Sequence, residues 1–183
     1  MKATQQLKDE HEGVKVMLNI LAQVCRQLEA TRNLNTEHFE GILEFLKVFV
    51  DKCHHGKEEE LLFPALEAAG IPKYGPISVM LHEHQVGRSY VKAMSEAFAG
   101  YKLGNRSLSQ GILHYAHDYI SLLNEHIVKE NNILFVIADS RLSEKMQDEL
   151  FEGFEKIEEE RIGIGKHEEF HDLLENLSGI YLH

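Results

Sequence analysis

Two short patterns of metal-binding residue types occur twice in this chain. Glu10-His11 returns 73 positions later as Glu83-His84. The string His54-His55-Gly56-Lys57-Glu58, followed by Leu62-Phe63, returns 72 positions later as His126-Ile127-Val128-Lys129-Glu130, followed by Leu134-Phe135. On a helix, residues i and i+4 share one face about one turn apart, so His54 with Glu58 and His126 with Glu130 each form a two-ligand claw. His11 and His84 can complete the claws from two further helices. Four imidazoles and two carboxylates would then converge, a donor set that suits iron or manganese better than thiolate-seeking ions, with zinc also admitted. One histidine on an apolar face is ordinarily a core residue. Glutamates on the same faces change that reading, because a buried Glu needs a partner or a metal.

The elements that must position these residues are helices. Apolar residues recur at helical spacing as Leu7, Val14, Leu18, Leu21, Cys25 and Leu28, and again as Ile42, Phe45, Leu46, Phe49, Val50 and Cys53. Asn35 or Thr36 caps the second helix, and Pro64 should bend or re-initiate it. A third helix is predicted from about Pro76 to Lys102. Ser107 with Gln110 reads as a capping box opening a fourth, which carries Tyr115, Tyr119, Leu122 and Leu123. Residues 142–161 and about 166–178 form two more amphipathic helices. The pattern predicts an all-α fold: an antiparallel up-down-up-down four-helix bundle over residues 1–138 with a helical extension over 139–183, the whole 1–183 forming one domain.

The same periodicity ranks neighbouring histidines. His54 extends the stripe of Leu46 and Val50, whereas His55 follows Asp51 and Lys52, so His54 is the expected ligand. His84 fits the face of Ile77 and Leu81 better than His82 does. Tyr115 and Tyr119 share the face of His126, as core packing or as neighbours of a site. Glu59 is a candidate outer partner, His117 is expected to be exposed, and Glu158-Glu159-Glu160 reads as a solvated face. His167 and His171, four apart, are either a surface pair or, through His167, the source of a fifth imidazole.

Composition narrows the function class. A net charge of −11 argues against nucleic acid or an anionic membrane surface as partner. Cys25 and Cys53 lie among aliphatic residues without a CxxC spacing, which predicts two buried thiols in a reducing, cytoplasmic setting. The N-terminal residues lack the apolar run of a signal peptide.

The string HHGKEEELLFPALE, the lone His11 and His84, and the second motif HIVKE together resemble the hemerythrin family, in particular its bacterial hemerythrin-like (HHE cation-binding) members, over about residues 7–138. The resemblance implies a non-haem di-iron centre with His11, His54, Glu58, His84, His126 and Glu130 as ligands, the carboxylates and an oxo or hydroxo group bridging. It implies reaction with dioxygen, nitric oxide or peroxide, as a binding or sensing protein rather than an enzyme. The alternatives are a redox enzyme reducing peroxide or oxygen, or an iron donor for iron-sulfur cluster repair, with a protein or redox partner unspecified. One departure stands out. Invertebrate hemerythrins take two histidines four apart from one helix, yet the positions four from His84 are Met80 and Arg88.

Overall fold

The computed structural model describes residues 2–183, so of the expected unit only Met1 lies outside the described residues. The described chain is helical with no strand. We number six long helical elements: α1 (Ala3–Thr31), α2 (36–68), α3 (Pro76–Lys102), α4 (109–141), α5 (Glu144–Arg161) and α6 (Lys166–Tyr181). Among the described residues no helix is long and apolar enough to cross a membrane.

Local chemistry explains most of the boundaries. The Asn35 side chain accepts from the His38 N–H to open α2, and Ser143 does the same for the Met146 N–H at α5. Arg32 closes α1 in the left-handed conformation. The expected Ser107 box does not form. Arg106–Leu108 is a 3₁₀ turn whose Ser107 hydroxyl donates to Asn105 Oδ1, and α4 starts at Ser109. Gly100 allows this turn to close over α3, since a Cβ there would lie 2.3 Å from Leu108 Cδ1.

Helices α2 and α4 are not uniform. Phe45–His55 and Glu58–Leu62 in α2, and Glu130–Leu134 in α4, are π-helical, with i→i+5 hydrogen bonds that widen the turn. Pro64 follows the second π segment, at the start of the α-helical stretch Phe63–Ala68. It is not the cause of the widening, because Glu130–Leu134 adopts the same geometry with no proline after it.

Two apolar clusters fill the interior, and the repeated His and Glu residues lie between them on every helix. Along α1 the chain leaves one cluster at Leu7, passes His11 and joins the other at Val14. Along α2 the order reverses, from Val50 past His54 and Glu58 to Leu62 and Phe63. It reverses again in α3, from Met80 past His84 to Val91, and in α4, from Ile127 past Glu130 to Leu134. The last two helices pack on the α1–α2 side. Phe154 of α5 enters the Leu7 cluster, and Phe170 and Leu177 of α6 join the Val14 cluster. Gly153 lets α5 approach α2, where a Cβ would lie 2.8 Å from Leu61 Cδ1.

This packing makes α5 part of the core. Phe154 is fully buried beside Lys57, so Phe154→Ala should cost about 3–5 kcal/mol in equilibrium urea unfolding. A loss within experimental error of zero would show that α5 is dispensable to the core.

Candidate metal centre

The six residues singled out by the repeat converge, and a seventh joins them. His11, His54, Glu58 and Glu130 offer atoms within 4.8 Å of one another, and so do His55, Glu58, His84 and His126. All seven are buried, Glu58 and Glu130 completely. The two groups share Glu58, and Glu130 reaches both.

Each carboxylate divides its oxygens between the groups. Glu58 Oε1 lies 3.6 Å from His54 Nε2, and its Oε2 lies 3.3 Å from His84 Nε2. Glu130 Oε2 lies 3.2 Å from His11 Nε2, and its Oε1 lies 3.2 Å from His126 Nε2. All four of these oxygens, with His11 Nε2 and His54 Nε2, are buried without a hydrogen bond. Unpaired carboxylates in an apolar interior are costly. Positive charge held by the imidazoles and carboxylates together would satisfy these atoms, so the residues present fit a metal centre.

The outer nitrogens explain why the Nε2 atoms face inward. His54 Nδ1 lies 2.7 Å from Glu10 of α1, and His84 Nδ1 lies 2.7 Å from Glu59 of α2. His126 Nδ1 lies 2.9 Å from Glu83 of α3, and His11 Nδ1 lies 2.8 Å from Asn131 of α4. Each acceptor takes the Nδ1–H, which leaves the Nε2 lone pair for a metal and fixes the ring. The four braces form a closed ring, each helix orienting the imidazole of the next and α4 returning to α1. His55 has a longer contact of 3.4 Å to Asp51 one turn earlier on its own helix.

The lysines of the repeated motif complete the outer layer. Lys57 donates to Glu10 at 2.5 Å and to Glu158 at 3.0 Å, and it is fully buried. Lys129 donates to Glu83 in the corresponding place but remains partly exposed. Burial opposes the ionisation of Glu10, yet the His54 hydrogen bond and the Lys57 charge outweigh it and hold the carboxyl below its usual range. Burial also opposes the His126 imidazolium, but Glu130 beside it prevails and raises it to about 10, so a metal binding there must displace the Nε2 proton. His55 goes the other way. Burial, then the charges of His84 and His54, push it well below the usual imidazole range, which keeps its ring neutral.

Three sequence expectations change. His55 was ranked below its neighbour by the α-helical period, but in the π-helical Phe45–His55 segment both rings face the interior. It supplies the fifth imidazole that the positions around His84 do not. His167 is not brought into either group: its Nδ1 lies 2.9 Å from Glu158 and its ring packs edge-on against Phe49. Glu158 is half-buried between Lys57 and His167 rather than part of a solvated face. Glu59 and the exposed His117 stand as expected.

An apolar cleft of about 390 Å³ reaches the site from the α2–α3 side, with His55, Gly87, Val91 and Tyr119 in its wall and Arg88 beside them. Tyr119 is buried there, so of the two tyrosines near His126 it is the one that borders the approach. Arg88 is tied to Asp51 and Glu59, both at 2.7 Å.

Comparison with known proteins agrees with this geometry. An iron-sulfur cluster repair protein YtfE from Pectobacterium atrosepticum is 37% identical over 134 residues, covering 68% of this chain and 59% of that protein. The YtfE of Musicola paradisiaca is 32% identical over 140 residues, covering 72% and 60%. An uncharacterized protein of Mycobacterium tuberculosis is 28% identical over 166 residues, covering 88% and 63%. The chain therefore spans less than two thirds of the length of these relatives. No solved structure gives a significant match. The profile of the hemerythrin HHE cation binding domain matches residues 2–138, which hold all seven converging residues and their braces, and the chain belongs to that family.

Proposed function

We propose that this protein holds a non-haem di-iron centre that binds or senses a small ligand, dioxygen, nitric oxide or peroxide, within an antiparallel up-down-up-down four-helix bundle. The observation that carries the reading is the division of Glu58 and Glu130 between two imidazole sets whose outer nitrogens are all occupied. His11 and His54 would hold one ion and His55, His84 and His126 the other, with Glu58 and Glu130 bridging. Once bound, such a pair supplies an open ligand position and a reversible change of oxidation state. Manganese or zinc would also be accepted by these donors.

The chain's own residues favour small, weakly polar ligands. The cleft beside His55 is walled by Val91, Gly87 and Tyr119, which admit a diatomic molecule and disfavour water. Of the cations in its lining, Lys47, Arg88 and Lys92, Arg88 is neutralised by Asp51 and Glu59 and offers little attraction to an anion. The two cysteines support no thiolate chemistry, because burial pushes both thiols up to about 12. Two buried free thiols agree with a reducing, cytoplasmic setting.

A second reading, iron donation to damaged iron-sulfur clusters or turnover of peroxide, is supported by the likeness to proteins named for cluster repair. Peroxide consumption by the reduced protein over many cycles distinguishes turnover from binding.

The first test is metal content with the visible spectrum of protein grown on iron, before and after exposure to air. Two irons per chain and a spectrum that changes reversibly with oxygen or nitric oxide are expected. One zinc, or no metal, would refute the proposal. His55→Ala should retain the fold and lose iron from the three-histidine side, lowering the iron count; an unchanged count would return His55 to a packing role. Glu10→Ala removes both the His54 brace and a charge partner of buried Lys57. It should cost about 3 kcal/mol in unfolding and lower iron affinity by about 10–100-fold, measured by competition with a chelator. Unchanged affinity would show that His54 needs no brace.

A further inference from the structure

A second group of ligating side chains lies outside the family-matched segment, on α6. His167 and His171 are one turn apart, and their Nε2 atoms are 2.9 Å from each other. Two imidazoles bound cis to an octahedral cation, each at about 2.1 Å, would have their nitrogens about 3.0 Å apart. The observed separation matches that requirement.

The His167 ring is already held for such a role. Its Nδ1 lies 2.9 Å from Glu158 Oε1, and its face meets the edge of Phe49 at 5.8 Å between ring centroids. The Glu158 contact is an ion-pair contact rather than a hydrogen bond, since Nδ1 is buried with no hydrogen-bond partner. A carboxylate so close to the outer nitrogen still favours the tautomer that leaves Nε2 free for a metal. His171 is exposed and free to adjust.

Both rings open onto a cavity of about 570 Å³ between α1, α5 and α6. Its wall carries Asp9, Glu155 and Glu159 in addition to Glu158, with Glu10 at its inner end and no lysine or arginine in its lining. Mixed imidazole and carboxylate donors in a negative cavity select a divalent first-row transition cation, with water in the remaining positions.

We propose that His167 and His171 bind one such cation at the mouth of this cavity, separately from the seven-residue centre. The site does not depend on what the inner centre holds, although it shares Glu158 with the Lys57–Glu10 pair that braces His54.

The test is calorimetric titration of Ni²⁺ into the iron-loaded full chain at neutral pH, with iron counted in the same samples. Wild type should bind one Ni²⁺ per chain. His171→Gln should weaken that binding by about 100-fold, because the second imidazole acts intramolecularly. The control His114→Gln, at an exposed i,i+4 contact with Asp118, should bind as wild type does. Should the inner centre hold no iron, its own uptake of Ni²⁺ would be common to all three proteins and cancel in the comparison. No Ni²⁺ binding by wild type, equal affinity in His171→Gln, or the same loss in His114→Gln would each overturn the proposal. Both substitutions lie on the surface, and circular dichroism checks that the fold is retained.

Discussion

Two carboxylates buried without a hydrogen bond, Glu58 and Glu130, set the terms for the rest of this structure. Leaving such charges in an apolar interior costs several kcal/mol each unless positive charge meets them. Five imidazoles surround them, and an outer layer of carboxylates, one amide and two lysines holds those imidazoles in place. The polar layer separates two apolar clusters that close it off from both ends of the helices. Hydrophobic packing thus supplies the cohesion, and the position of each helix along its axis is fixed by where its polar residues must fall.

Much of this was legible in the sequence because it is written twice. The spacing of His11 to His84 and of His54 to His126 identified four helices and the faces they turn inward. The same repeat also carried the braces: Glu10 and Glu83 precede the lone histidines, Glu59 and Asn131 follow Glu58 and Glu130, and Lys57 and Lys129 sit in matching places. Apart from Glu59, their roles were hidden because each acts on a different helix from its neighbour in the chain. His55 was hidden for another reason. A 3.6-residue period assigns only one of two adjacent residues to a face, and no side-chain pattern announced the π-helical turns that admit both. His167 precedes buried Phe170 by three positions and so shares its face of α6, but periodicity does not say against which part of the molecule that face docks.

The C-terminal helices occupy an intermediate position. The family match ends at residue 138, yet Glu158 of α5 provides the second counter-ion of a lysine with no access to solvent. The extension is therefore joined to the inner centre through charge as well as through Phe154 and Phe170. A path of polar contacts runs from His54 through Glu10, Lys57 and Glu158 to His167 and His171 at the surface. In the other half of the repeat the matching lysine, Lys129, itself meets solvent. The internal symmetry is broken on the side where α5 and α6 pack.

The closed ring of braces also bears on how the protein is made. During synthesis the chain emerges from its N-terminus, so Glu10 is present before His54 needs it, Glu59 before His84, and Glu83 before His126. His11 alone waits, because its partner Asn131 lies 120 positions later. A nascent chain halted between α2 and α4 carries histidines and glutamates able to catch metal ions, but its first imidazole still turns freely. Completion of α4 locks that ring and delivers Glu130 in the same step, so the full set of converging side chains is assembled with the end of α4 rather than before it.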